Sequence, residues 1–162
     1  MNDIKNKIEP ISKPSFKLIG LLLGNKTSNL DNQSNIDCGN LWQKFEKDDI
    51  FNLIPSKLSN EVYAVYFNYK KDETTPFSYF IGCKVEENTE TPSGLTDLLI
   101  PPQNYLKIIA KGVMTGCITE AWRTIWSSEV DRKFGFDFEI YDERSQDWND
   151  AEVAIYVSTS DD

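Results

Sequence analysis

The chain has no histidine. That removes the usual general base near neutrality, the commonest zinc ligand and any Ser–His or Cys–His nucleophile pair. Cysteine is scarce: Cys38, Cys83 and Cys117 lie far apart. An odd count with no close pair fits neither a disulfide framework nor a metal or redox motif, so they read as reduced, mostly buried thiols. Positive charge is in deficit, with 17 Lys and Arg against 26 Asp and Glu and a net charge of −9. The close basic clusters are Lys70-Lys71 and Arg132-Lys133 alone. A polyanion needs clustered cations, so no direct nucleic acid binding is expected. Long apolar runs are missing too. Leu18 to Leu23, broken by Gly20, is too short to span a bilayer, and the polar start Met1-Asn2-Asp3-Ile4-Lys5 lacks a signal-peptide core. A cytoplasmic location without membrane contact is therefore expected. No metal or cofactor is expected either. Asp48-Asp49 and Glu86-Glu87 read as solvated charge pairs, and Gly112 to Gly116 lacks phosphate-loop spacing.

What is present is aromatic. Phe, Trp and Tyr make up 12 % of 162 residues, a length suited to one domain or two fused small modules. After a polar arm over 1–13, strands are predicted at Phe16–Leu23, Val62–Tyr69, Phe77–Val85, Tyr105–Ala110, Phe136–Tyr141 and Val153–Val157. Lys70 to Pro76 reads as a turn, and Asn25 to Asn40 and Gly112 to Thr119 as loops. Helical spacing begins at Leu41-Trp42 with Phe45 and Ile50, and again at Ile118 with Trp122, Ile125 and Trp126. The order is strand-helix-strand-strand, twice. Phe16-Lys17-Leu18-Ile19 aligns with Tyr105-Leu106-Lys107-Ile108, and Trp42 with Trp122. Duplication accounts for this pattern, with repeats at about 14–88 and 98–158 inside one domain of 14–158. Neither half alone could build a good core, so the halves must pair and leave a seam between them.

The strands carry an oddity. Val62, Ala64 and Tyr66 form one apolar face, and Tyr63, Val65 and Phe67 the other. Either protein covers both faces, or one lines an aromatic groove closed by a ligand. In Phe136 to Tyr141, alternation turns Phe136, Phe138 and Ile140 one way and Asp137, Glu139 and Tyr141 the other. Glu139 is then a wet strand residue or the charge of that groove, where an anion beside rings attracts cations. Tyr141 shares its face. Asp137 reads as a solvated or turn-anchoring residue. Trp122 and Trp126 share one helix face and read as core, with a ring edge able to reach a pocket; Trp42 reads as core.

Together these segments resemble a known family. Tyr105 to Gly112, Glu120 to Trp126, Asp137 to Tyr141 and Glu152 to Val157 resemble the bacterial transcription-activator effector-binding domain, AraC-type or GyrI-like. Ile19-Gly20, Leu41 to Phe45, Val62 to Tyr66 and Phe80 to Val85 are similar to its stand-alone, integron-cassette-associated branch. The resemblance implies an α+β fold of duplicated strand-helix-strand-strand (SHS2-type) modules, with antiparallel sheets around a central ligand groove. It implies that Glu139 is the acidic group facing the ligand, with Tyr63, Tyr141, Tyr156 and Trp126 as aromatic liners. The implied function is binding of a small hydrophobic or cationic effector. Hydrolysis of a reactive compound by Glu139 with Tyr141, or a gyrase-inhibitor-like role with a protein partner, is the alternative. The arm over 1–13 is too short for the helix-turn-helix of the family's regulators.

Overall fold

In a computed structural model of the chain, the structure describes residues 9–28, 33–69, 76–126, 132–133 and 135–159, without the side chains of Thr115 and Trp126. The elements run β1 (Glu9–Lys13), β2 (Phe16–Leu22), α1 (Gln33–Lys47), α2 (Ile50–Leu53), β3 (Val62–Phe67), β4 (Ser78–Val85), β5 (Thr96–Ile100), β6 (Gln103–Gly112), α3 (Met114–Trp126), β7 (Asp137–Tyr141) and β8 (Ala151–Thr159). A 3-10 turn at Glu143–Ser145 joins the last two strands.

All eight strands form one sheet in the order β1-β6-β8-β7-β3-β4-β2-β5, and every pairing is antiparallel. The α+β class and the duplication expected from sequence are both present. Exchanging β1 with β5, β2 with β6, β3 with β7 and β4 with β8 returns the same order, so a pseudo-twofold axis passes between β3 and β7. The β3–β7 register runs from Val62↔Tyr141 to Tyr66↔Asp137 and centres on Ala64↔Glu139. Those two residues are pseudo-symmetry mates, and by the same count Tyr66 corresponds to Tyr141.

Two strands depart from the sequence reading. Glu9–Lys13, expected as arm, is an edge strand on β6, and Thr96–Ile100, not among the strands expected from sequence, is the opposite edge on β2. Each is the leading strand of one repeat laid against the other repeat, which ties the halves together. β1 carries no apolar run, and in the short Leu98-Leu99-Ile100 run of β5 the middle residue is exposed, because an edge strand keeps one side wet. The helices also begin earlier than expected. Gln33–Asn40, read as loop, is the first half of α1, where polar side chains on the exposed face hide the period. Met114–Cys117 begins α3, whose first free amide, at Met114, donates to the Trp148 carbonyl (2.8 Å). The turn over 70–75 lies outside the described residues.

The doubly apolar strands have a physical explanation. On one face α1 packs through Leu41 and Phe45 onto Ile19, Ala64, Ile81 and Cys83. On that face too, α3 packs through Ala121, Trp122 and Ile125 onto Ile108, Val153 and Ile155. The opposite face holds Phe16, Leu18, Tyr63, Val65, Phe80, Tyr105, Phe138 and Tyr156, all buried with no helix of either repeat among them. The sheet covers that face by curling onto itself. Phe16 on β2 and Phe138 on β7 have two strands between them, about 14 Å on a flat sheet, yet their ring centroids are 5.7 Å apart. Phe138 also stacks on Tyr156 at 4.8 Å and meets Tyr105 edge-on at 5.2 Å. The aromatic richness of the sequence builds this inner face.

β7 is held by Asp137, which is fully buried rather than solvated. Its carboxylate pairs with Arg132 (2.9 Å) and accepts from the Ser158 amide (2.7 Å), the Ser158 hydroxyl (2.8 Å) and Tyr69 (3.0 Å). Removing one partner of such a pair leaves a buried charge unmatched. Asp137→Ala is therefore expected to cost about 3–5 kcal/mol in urea unfolding; a loss below about 1 kcal/mol would show that Asp137 does not anchor β7.

Candidate functional site

The sheet face that carries the helices has α1 on the first repeat and α3 on the second. Between them runs a seam, where Tyr66 and Tyr141 pack against the clusters of both repeats. Alternation along β3 and β7 puts Ala64, Tyr66, Glu139 and Tyr141 on this face, and the register puts Glu139 at its middle. Glu139 is 1 % exposed.

Three donors hold its carboxylate. Tyr141 donates to Oε1 (2.6 Å), while Tyr66 (2.8 Å) and the Trp122 indole N–H (2.6 Å) donate to Oε2. Such bonds to an ionised group stabilise it by roughly 1.5–3 kcal/mol each, yet all three donors are neutral. Burial therefore outweighs them, and the Glu139 carboxyl is raised above its ordinary pKa, with the Tyr141, Trp122 and Tyr66 hydrogen bonds pulling the other way. The phenols of Tyr66, Tyr79 and Tyr141 are pushed well above 10, first by burial and then by the Glu139 charge. Cys38, half-buried on α1, is pushed up to about 12 by burial and by Glu139. On α3 the half-buried Cys117 is raised by the same two causes, burial first, against two backbone hydrogen bonds.

Aromatic rings flank the carboxylate in matched pairs. Tyr66 meets Trp122 edge-on with centroids 5.4 Å apart, and Tyr141 meets Trp42 edge-on at 5.0 Å. The pairs are pseudo-symmetry mates, but their polar contacts are not. Trp122 donates to Glu139, whereas Trp42, facing the half that has Ala64, donates to the Tyr79 hydroxyl (2.8 Å).

Of the residues expected from sequence, the structure brings Glu139 and Tyr141 together. It puts Tyr63 and Tyr156 on the opposite, curled face beside Phe138, so they cannot share a wall with Glu139. Strand alternation is the reason: Tyr63 has the opposite parity to Ala64, and Tyr156 to Ile155, the register partners of Glu139. Trp126 belongs to α3, and its side chain lies outside the described residues. Tyr66 and Tyr79 were not expected as site residues, and Trp42 and Trp122 were read as core, Trp122 with a ring edge able to reach a pocket. Alternation from Ala64, once paired with Glu139, would have found Tyr66, and the alignment of Trp42 with Trp122 already marked two equivalent helix positions.

Comparison with known proteins is consistent across sequence and fold. Residues 11–158 match the family described as integron-associated effector binding protein. An integron cassette protein from the mobile metagenome of Vibrio cholerae superposes with a TM-score of 0.71 at 23 % identity, over 95 % of this chain and 96 % of that one. SAV2435, in a structure bound to tetraphenylphosphonium, superposes with a TM-score of 0.75 at 13 % identity, over 94 % of this chain and 93 % of its own. YobU of Bacillus subtilis (strain 168), assigned by name to transcriptional regulation, is 26 % identical over 122 residues, 73 % of this chain and 76 % of its own. At these identities the superposed structures share the fold.

The raised Glu139 carboxyl sets a direction for pH. The folded chain keeps this proton to higher pH than the unfolded chain does. The resulting stability is complete below the unfolded pKa and is lost as pH rises through the folded one. The melting temperature of the wild type relative to Glu139→Gln should therefore fall as pH rises from the ordinary glutamate range towards neutrality. Parallel pH profiles would exclude a raised Glu139.

Proposed function

The chain belongs to the integron-associated effector binding protein family, and from that premise we propose that it binds a lipophilic cation with Glu139 as its charge anchor. The observation that carries this reading is a buried carboxylate with no cationic partner among its hydrogen-bond donors, set between two Tyr–Trp pairs. A buried anion without a counter-charge is costly and is either neutralised by a proton or matched by a cation. A cation entering the seam replaces that proton, and the rings add cation–π contact. Tetraphenylphosphonium bound to SAV2435 is a ligand of this class on the same fold.

Tyr66, Tyr141, Trp42 and Trp122 are proposed as the rings that meet the ligand. Glu139 is 1 % exposed, so a ligand reaches it only by displacing the rings packed beside it. Binding is proposed rather than turnover. The phenols beside Glu139, Tyr66 and Tyr141, already donate to its carboxylate, so neither is left to polarise a leaving group.

Titration with tetraphenylphosphonium should change tryptophan fluorescence saturably, and Glu139→Gln should weaken affinity at least tenfold, since a lost buried charge contact exceeds about 1.4 kcal/mol. Affinity should rise with pH through the raised Glu139 pKa, because the ligand competes with a proton. Unchanged affinity in Glu139→Gln would remove Glu139 from the binding role.

A further inference from the structure

The pseudo-twofold axis relates the two Tyr–Trp pairs on the seam but not the charge between them. The two Tyr–Trp pairs are equivalent in position and geometry, at 5.4 and 5.0 Å with interplanar angles of 66° and 73°. At the centre of the β3–β7 register, however, the mate of Glu139 is Ala64, fully buried and carrying only a methyl group. We infer that the seam is built for a ligand with one cationic centre between two aromatic arms. Glu139 takes the charge, Ala64 denies a counter-charge to a second, and the Tyr66–Trp122 and Tyr141–Trp42 pairs each take an arm. This rests on the cation-binding reading above and adds to it the charge number and shape of the ligand.

The hydrogen bonding on the seam supports the asymmetry. Trp122 spends its N–H on Glu139. Trp42 has no carboxylate on its side and donates to Tyr79 instead, so the half without charge is closed internally by a neutral phenol. A second cationic centre there would meet Ala64 and phenols held neutral, and would lose its hydration without a counter-charge. An aromatic arm meets a ring pair on either side, and each edge-to-face contact adds to affinity beyond the area it buries.

Three probes separate the parts of this inference: tetraphenylphosphonium, tetrabutylphosphonium, and a bis-cation of two triphenylphosphonium groups joined by a short alkyl chain. Calorimetry on the wild-type chain should give aryl over alkyl monocation by about tenfold or more, and no gain in affinity for the bis-cation over tetraphenylphosphonium. Trp42→Leu should reduce the aryl-to-alkyl ratio several-fold, although Trp42 makes no bond to Glu139. Ala64→Glu should shift preference towards the bis-cation by about tenfold. If that variant fails to fold, the wild-type ratios and Trp42→Leu decide alone. Equal affinity for aryl and alkyl monocations, or Glu139-dependent binding of the bis-cation tenfold tighter than of the monocation, would overturn the inference and leave the binding reading standing. Absence of Glu139-dependent binding for all three probes would overturn both.

Discussion

A carboxylate on the central strand pair of a sheet, cut off from water, needs hydrogen-bond donors, a proton or a cation. Glu139 has the donors within the fold: two tyrosines related by the pseudo-twofold axis, and one indole from α3. Much of the seam follows from that requirement. Tyr66 and Tyr141 must reach the axis from both repeats, and Trp122 must face down from its helix. The half without the carboxylate closes over a phenol in place of a charge. The donors orient the carboxylate without neutralising it, and this is the ground for proposing a cation as its partner.

The same scaffold shows why duplication suits such a site. Each repeat supplies a strand-helix-strand-strand unit, and the leading strands β1 and β5 exchange partners, so neither half keeps its own edge. With one face curled into an aromatic core, the helices are left to flank the axis on the other. Symmetry provides two equivalent Tyr–Trp pairs, and Glu139 opposite Ala64 breaks it at the axis. The ring pairs are therefore doubled while the carboxylate between them is single. Asp137, two residues away on the same face, is not a second free charge, because Arg132 and Ser158 already match it.

Much of the fold was legible in the sequence, because six strands and the cores of both long helices carry strong apolar patterns. The edge strands were not: β1 and β5 owe their place to backbone pairing with another repeat, which leaves little mark on side chains. The polar first half of α1 was hidden for a similar reason, since helical residues facing solvent look like loop. At the site, alternation puts Glu139 and Tyr141 on one face of a strand, and the family resemblance singles out Glu139 as its acidic group. Tyr66 and Trp122 depend on which residue of β3 lies opposite Glu139 and on how α3 is turned, and local pattern specifies neither. Tyr63 and Tyr156 were implied by the family resemblance, whereas face is set by parity relative to Ala64 and Ile155. The apolar character of both strand faces posed the right question, and its answer, a sheet curled upon itself, lies in three dimensions.

The measurement closest to the central claim is a carbon-13 NMR titration of the Glu139 carboxyl, without ligand and with saturating tetraphenylphosphonium. Free, the group should titrate above the ordinary glutamate range, because burial outweighs its three neutral donors; with the cation bound, its pKa should fall, because the positive charge favours the ionised form. A Glu139 that titrates in the ordinary range when free, or whose titration ignores the cation, would contradict the account.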